Sequence, residues 1–234
     1  MTWDEVFCNT FKAIGKRIAP QVKQKMDFMV PSWPMVEACR ANQFDFFLPF
    51  IKAGALSDKQ MHHAAKRYQL GKTKSGMPIF WMIDDMMMPL DAHIGNSWIS
   101  QALKAREPLL QYWPVHHCLF GQHLLKDDLP VSIVESEQTA VILNELFPEN
   151  IWLAYATISH LTPEFLSPLV GRTVTIYPRT DPNMNTYVFF LDYASVVRQH
   201  YDIDLRIDTT LEQHATADQK ERCIDIVDFL LDSL

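Results

Sequence analysis

The apolar positions Trp3, Val6, Phe7, Phe11, Ile14 and Ile18 fall on one side of a helix that Pro20 ends. Pro31 and Pro34 mark a break. A second helical stretch carries Phe44, Phe47, Leu48 and Ile51 and stops near Gly54. Ser57 and Asp58 then offer caps for a helix through Tyr68. Gly71 to Gly76 reads as a polar turn, and Pro78-Ile79-Phe80-Trp81-Met82-Ile83 as a short strand stopped by Asp84 and Asp85. The consecutive Met86, Met87 and Met88 cannot form one face of a helix or strand, and read as core or interface filler.

From about Lys126 the texture becomes a regular alternation of short β-branched runs and helical patterns. Val131–Val134 is a strand running into Glu135, Thr139–Phe147 a helix ended by Pro148, and Ile151–Ala156 a second strand. Thr162-Pro163-Glu164 supplies an N-cap, a first-turn proline and an early acid for the next helix. Thr173–Tyr177 is a third strand, Tyr187–His200 a helix and Ile203–Ile207 a fourth strand. Thr216–Leu234 is a last helix opened by the capping-box pair Thr216 and Gln219. The expected architecture is α/β. A mostly helical region with a short β segment occupies residues 1–125, and a domain of about four parallel strands occupies 126–234.

Composition narrows the function classes. With 48% hydrophobic residues in 234, a folded core is expected, and a net charge of -7 argues against a nucleic-acid-coating protein while leaving room for a local basic stripe. Cys8, Cys39, Cys118 and Cys223 are too scattered for a zinc ribbon, so no zinc is expected. Unpaired thiols, the acidic start MTWDEVF and the lack of a long apolar run point to a cytoplasmic chain without signal peptide or membrane span.

In an open parallel sheet, ligands gather beyond the carboxyl ends of the strands. Glu135 and Glu137 follow the first strand there, and Asp181 follows the third. Carboxylates so placed can hold Mg²⁺, although on spacing alone the favoured reading is that Glu135 begins a helix and Asp181 is a turn acid before Pro182. Arg67, Lys72 and Lys74 near Trp81, with Arg179, form a candidate surface for phosphates and a stacked base, although for this element alone a solvated loop beside a core tryptophan is the favoured reading. The adjacent pairs His62-His63 and His116-His117 point apart and make no metal clamp. Cys118 near His116, His117 and His123 has no local signature of a nucleophile. Asp225 and Asp228 can share a helix face beside Glu221, either approaching the strand ends or facing solvent, and the solvated face is favoured.

Residues 126–140 resemble the first motif of toprim domains, V-E-G-E-K-D-A after a strand: Glu135, Glu137 and Ala140 match, while Ser136, Gln138 and Thr139 replace the other three. More closely, the chain is similar to a toprim-like, primase-like family of bacterial mobile-element proteins whose function is unknown. That likeness runs through Asn42 to Phe47, Tyr68-Gln69-Leu70-Gly71, Ile79 to Asp84, Phe120 to Leu125, Val134 to Ala140, Ile151 to Ala154, Gly171 to Val174 and Asp225 to Leu231. It implies a toprim-like Rossmannoid domain with Glu135 as general base and Glu135, Glu137 and Asp181 as Mg²⁺ ligands. The expected partners are nucleic acid, DNA before RNA, or replication proteins. The sequence departs from that pattern at Ala156-Thr157, where glycines are usual, and at Arg179, which takes the place of the first aspartate of an Asp-x-Asp. The expected function is therefore a degenerate, non-catalytic accessory in DNA replication or processing. An active Mg²⁺-dependent primase or nuclease and a protein-interaction module are the alternatives.

Overall fold

The computed structural model describes residues 31–106, 110–111, 115–126 and 128–234. The helix expected over Trp3 to Ile18 lies outside the described residues. Pro34 opens a helix instead of only breaking the chain: α1 spans Trp33–Ala38 with a proline in its first turn. A 3-10 turn, Asp45–Phe47, leads into α2, Leu48–Lys52, and the chain turns at Gly54 with φ 76°. Helix α3, Asp58–Arg67, starts at a complete capping box in which Ser57 and Gln60 satisfy each other's backbone N–H groups.

Among the described residues before 126, the β segment is larger than the single short strand expected. Strands β1 (Gly71–Lys72), β2 (Pro78–Ile83), β3 (Pro89–Ile94) and β4 (Ser97–Trp98) make an antiparallel sheet in that order, followed by α4, Ile99–Arg106. The hairpin joining β2 and β3 was not legible because Asp84 does more than stop a strand. Its Oδ1 accepts the Met88 N–H, and Met87 takes the left-handed conformation at φ 65°. A register shift at Met82/Ile83 and the buried acid Asp91 further spoil the period-2 signal. Asp91 is satisfied by the N–H groups of Ala92 and Ser100 and by the Ser100 hydroxyl at 2.5 Å. The methionines expected as filler stand on this turn, with Met86 77% exposed and Met88 56%.

The second sheet follows the sequence pattern closely. Its strands are β5 (Val131–Val134), β6 (Ile151–Ala154), β7 (Thr173–Ile176) and β8 (Asp204–Ile207), all parallel, in the order β6-β5-β7-β8. Helix α5 (Glu137–Leu146) connects β5 to β6 and α6 (Asn185–His200) connects β7 to β8, but the helix expected after Thr162 is replaced: two 3-10 segments, Ile158–His160 and Pro163–Leu169, join β6 to β7, with Pro168 inside the second and no cap bond from the Thr162 side chain. Burial of all four residues in both β5 and β6 explains why their runs are apolar except at Ser132, itself buried. Phe120 adds an antiparallel bridge to Ala154 at the β6 edge. One hydrophobic cluster includes Phe44, Phe47, Tyr68, Phe80 and Phe120 together with Val134, Ala140, Trp152 and Ile226, so the core crosses the 125/126 boundary.

The last expected helix is broken into pieces. After α7 (Thr210–His214), which the sequence pattern did not announce, come α8 (Ala217–Glu221) and α9 (Ile226–Leu231). Thr216 and Gln219 form the expected capping box, but Cys223 turns left-handed at φ 52° and Asp225 starts a second box with Asp228. The carbonyls freed by the break are taken up by the segment after β7: Arg179 donates to Cys223 O, and Thr180 N–H to Ile224 O at 3.0 Å. This break turns Asp225 toward the strand ends.

Candidate functional site

The carboxyl ends of β5, β6 and β7 open into a cavity of about 590 Å³. Glu135, Ser136, Glu137 and Gln138 line it from the β5–α5 junction, Ala156 from beyond β6 and Arg179 from beyond β7. The broken C-terminal helix contributes Cys223, Asp225 and Asp228, and the antiparallel sheet contributes Phe80 and His93. The strand-end position expected of a ligand site in a parallel sheet is therefore a real concavity between the two sheets.

Its carboxylates are engaged by the protein itself. Glu135 stands 3.7 Å from the Arg179 guanidinium. Burial raises the Glu135 carboxyl above its usual range, and the Arg179 charge and a bond from Tyr155 offset only part of that effect. Arg179 is itself fixed by donating Nε and Nη2 to the Cys223 carbonyl, at 3.2 and 2.8 Å. Glu137 is buried and meets His93 Nδ1 at 2.7 Å. Asp225 accepts the N–H groups of Val227 and Asp228 on one oxygen and the Thr139 hydroxyl on the other. Its carboxyl is raised by burial despite these bonds. The solvated face favoured for the two acids is thus corrected for Asp225, which the Cys223 turn brings onto the cavity wall, while Asp228 also lines the cavity and stays exposed.

Asp181 does not join them. Its Oδ1 accepts the N–H groups of Asn183 and Asn185, and its Oδ2 that of Thr186 at 2.7 Å, at the start of α6. Burial works against the Asp181 carboxylate, but these N–H donors outweigh it and hold the group below its ordinary range. Among the described residues, no group of three or more His, Cys, Asp or Glu is disposed to hold a metal ion. The set Glu135, Glu137 and Asp181 does not fit Mg²⁺ as arranged: one faces a guanidinium, one a histidine and one a row of backbone N–H groups.

The candidate stacking residue needs correction too. Trp81 is 0% exposed, packed with Val36, Ile79, Ile83 and Ala92, and its ring cannot present a face to a base. The cause is that β2 is buried along nearly its whole length. Lys72 is half-buried with its Nζ 5.2 Å from the Phe44 ring centre, Lys74 is exposed on the β1–β2 turn, and Arg67 is half-buried at the end of α3. Cys118 is buried and its thiol is pushed well up by desolvation, which removes the nucleophile reading.

Sequence reasoning missed His93, because β3 itself was not recognised, and Tyr155, which extends the β6 run toward Glu135. His93 also stacks on Trp98 at 4.8 Å, beside a second imidazole pair, His117 on His160 at 4.3 Å. The two groups titrate in opposite senses. The bond to Glu137 raises His93, although burial opposes it, whereas burial and then the neighbouring His160 lower His117. The His93 contribution is present below the unfolded histidine pKa of roughly 6.5 and fades as pH rises through the higher folded value. Glu137→Gln should therefore destabilise the protein by about 1 kcal/mol more near pH 5.5 than near pH 9 in urea melts at the two pH values. An equal loss at both would exclude the charged pair.

The fold and the site together define a mixed α/β protein with a self-paired acidic cavity at the carboxyl ends of a parallel sheet. The family described as Domain of unknown function (DUF6371) matches residues 45–180, more than half of the chain, and the protein belongs to that family. No curated protein and no solved structure gives a significant match. Among the described residues, no helix is long and apolar enough to cross a membrane.

Proposed function

We propose that the protein is a toprim-like accessory of the bacterial mobile-element type, one that associates with nucleic acid or a replication partner without polymerising or cleaving. The observation that carries the non-catalytic part is Arg179, whose guanidinium lies 3.7 Å from Glu135. A fixed positive charge there opposes a divalent cation, and the three carboxylates that the toprim-like likeness nominates are engaged in separate internal contacts. A Mg²⁺-dependent primase or nuclease would need a second free carboxylate facing Glu135, and draws no support from this arrangement.

Fluorescence anisotropy of labelled single-stranded DNA, duplex DNA and RNA tests the reading, with Mg²⁺ or with chelator and across salt. The expected result is binding that weakens with salt, shows DNA preferred over RNA, and is the same with Mg²⁺ and with EDTA and for Glu135→Ala. Dependence on both Mg²⁺ and Glu135 would favour a working metal site. Absence of binding under every condition would move the reading to protein partners. That second reading has its own support in the exposed Met86 and Met88 at the β2–β3 turn, since flexible, polarisable side chains suit interaction surfaces.

A further inference from the structure

On the far side of the antiparallel sheet's first strand, a groove of about 280 Å³ runs between the Arg40–Asn42 segment and the C-terminal half of α3. The segment is held beside the end of α3 by backbone bonds, Ala41 N–H to Leu70 O and Lys72 N–H to Cys39 O, with Arg40 bridged to Gly71. Two cationic side chains, Arg40 and Lys66, line the groove with the His62 imidazole and the amides of Asn42 and Gln69, and its lining includes no carboxylate. In an acidic chain this is a local exception, and it lies apart from the acidic strand-end cavity.

Two features make the groove more than a set of surface charges. The first concerns the helix end, where free carbonyls would normally repel an anion. Here Ala64 O accepts from Tyr68, Ala65 O from Leu70, Lys66 O from Gln69 and Arg67 O from the His123 ring at 3.0 Å. The negative end of α3 is thereby satisfied internally. The second is that Arg40 is pre-positioned: its Nη2 donates to Gln69 Oε1 at 2.8 Å, while Gln69 Nε2 donates to Lys66 O at 3.0 Å. Gln69 reaches both because it sits at φ 55°, in the left-handed region. A guanidinium fixed at one N–H keeps others for two phosphate oxygens and loses little entropy when it binds.

Lysines also continue along the helix on either side of His62. Lys59, His62 and Lys66 are exposed and spaced i, i+3 and i+7, so they share one face of α3 over about 10 Å. We infer that this groove and stripe bind the phosphates of a nucleic-acid backbone, with Arg40 and Lys66 as the main contacts and Gln69 as a positioning residue. The inference rests on the nucleic-acid association proposed above, and supplies a surface for it in place of the buried Trp81. Contact to consecutive phosphates with no base pocket implies weak sequence preference.

The test is fluorescence anisotropy of a fluorescein-labelled oligothymidylate with the full chain, across a salt series. Wild type is compared with Arg40→Ala/Lys66→Ala, Gln69→Ala, Arg40→Lys and the distant control Arg206→Ala. The double variant is expected to bind at least about tenfold more weakly and to lower the salt slope by about 1.4, with circular dichroism and melting unchanged. Gln69→Ala should weaken binding less, Arg40→Lys should retain part of it, and Arg206→Ala should match wild type. If wild type binds and the double variant is within twofold of it, the groove is refuted while nucleic-acid association stands. If wild type binds no oligonucleotide at any salt, that broader reading falls and takes the groove with it.

Discussion

Tyr68→Ala is expected to cost about 3–5 kcal/mol of stability, the largest effect of any single change considered for this protein. The ring is completely buried, stacks on Phe120 with centroids 5.2 Å apart, and lies in the cluster that joins α3 to the parallel sheet. Its hydroxyl donates to Trp152 O at 2.7 Å, which ties the end of α3 to β6. The backbone at Gly121 is shaped around the same ring: a Cβ there would come within 2.9 Å of Tyr68 Cε1, and φ is +83°. Urea unfolding of Tyr68→Ala and Tyr68→Phe separates packing from the hydrogen bond, because Phe keeps the ring and should cost only about 1–2 kcal/mol. A loss below about 1 kcal/mol for the alanine variant would show that the two halves do not depend on this contact.

The second large effect is expected at Asp225, which closes the cavity from the C-terminal side. Asp225→Ala removes the N-cap of α9, whose N–H groups at Val227 and Asp228 it accepts, and strands the Thr139 hydroxyl. The combined cost is about 2–3 kcal/mol. Asp225→Asn keeps an oxygen for the cap and should cost under about 1 kcal/mol. The pH dependence has a definite sign. Because burial raises the folded Asp225 carboxyl above its unfolded value, the group favours the fold below an unfolded pKa of roughly 3.9, and that contribution disappears as pH rises through the folded value. Asparagine avoids the cost of burying the charge at neutral pH. Chemical denaturation of both variants near pH 7 checks this, and equal losses for Ala and Asn would mean that the charge, not the cap, holds the segment.

The elements that could be read from sequence were those whose local and tertiary requirements coincide. Strands β5 and β6 are buried on both faces, so their runs are apolar except at Ser132, and the Ser57 cap and the Thr216 capping box marked two helix starts. What could not be read depended on side chains bonding across distance. The β2–β3 hairpin relies on Asp84 holding a turn and Asp91 being buried with Ser100, so two acids that look like solvated breaks belong to one sheet. The C-terminal break relies on Arg179 and Thr180 taking carbonyls more than forty residues away. The site was legible to the same extent. Glu135 and Arg179 follow directly from strand ends, whereas His93 and the wall formed by Asp225 required the elements the pattern concealed. Trp81 illustrates the opposite failure, an aromatic beside lysines in sequence whose ring turns into the core.

Internal ion pairs and hydrogen bonds, rather than a cation, satisfy the carboxylates of the strand-end cavity. Isothermal calorimetry of Mg²⁺ titrated into the full chain tests this most directly, with Glu135→Ala as the comparison. The expected result is no saturable heat beyond dilution in either protein. A one-to-one isotherm for wild type that Glu135→Ala abolishes would contradict the account and place a working divalent site beside Arg179.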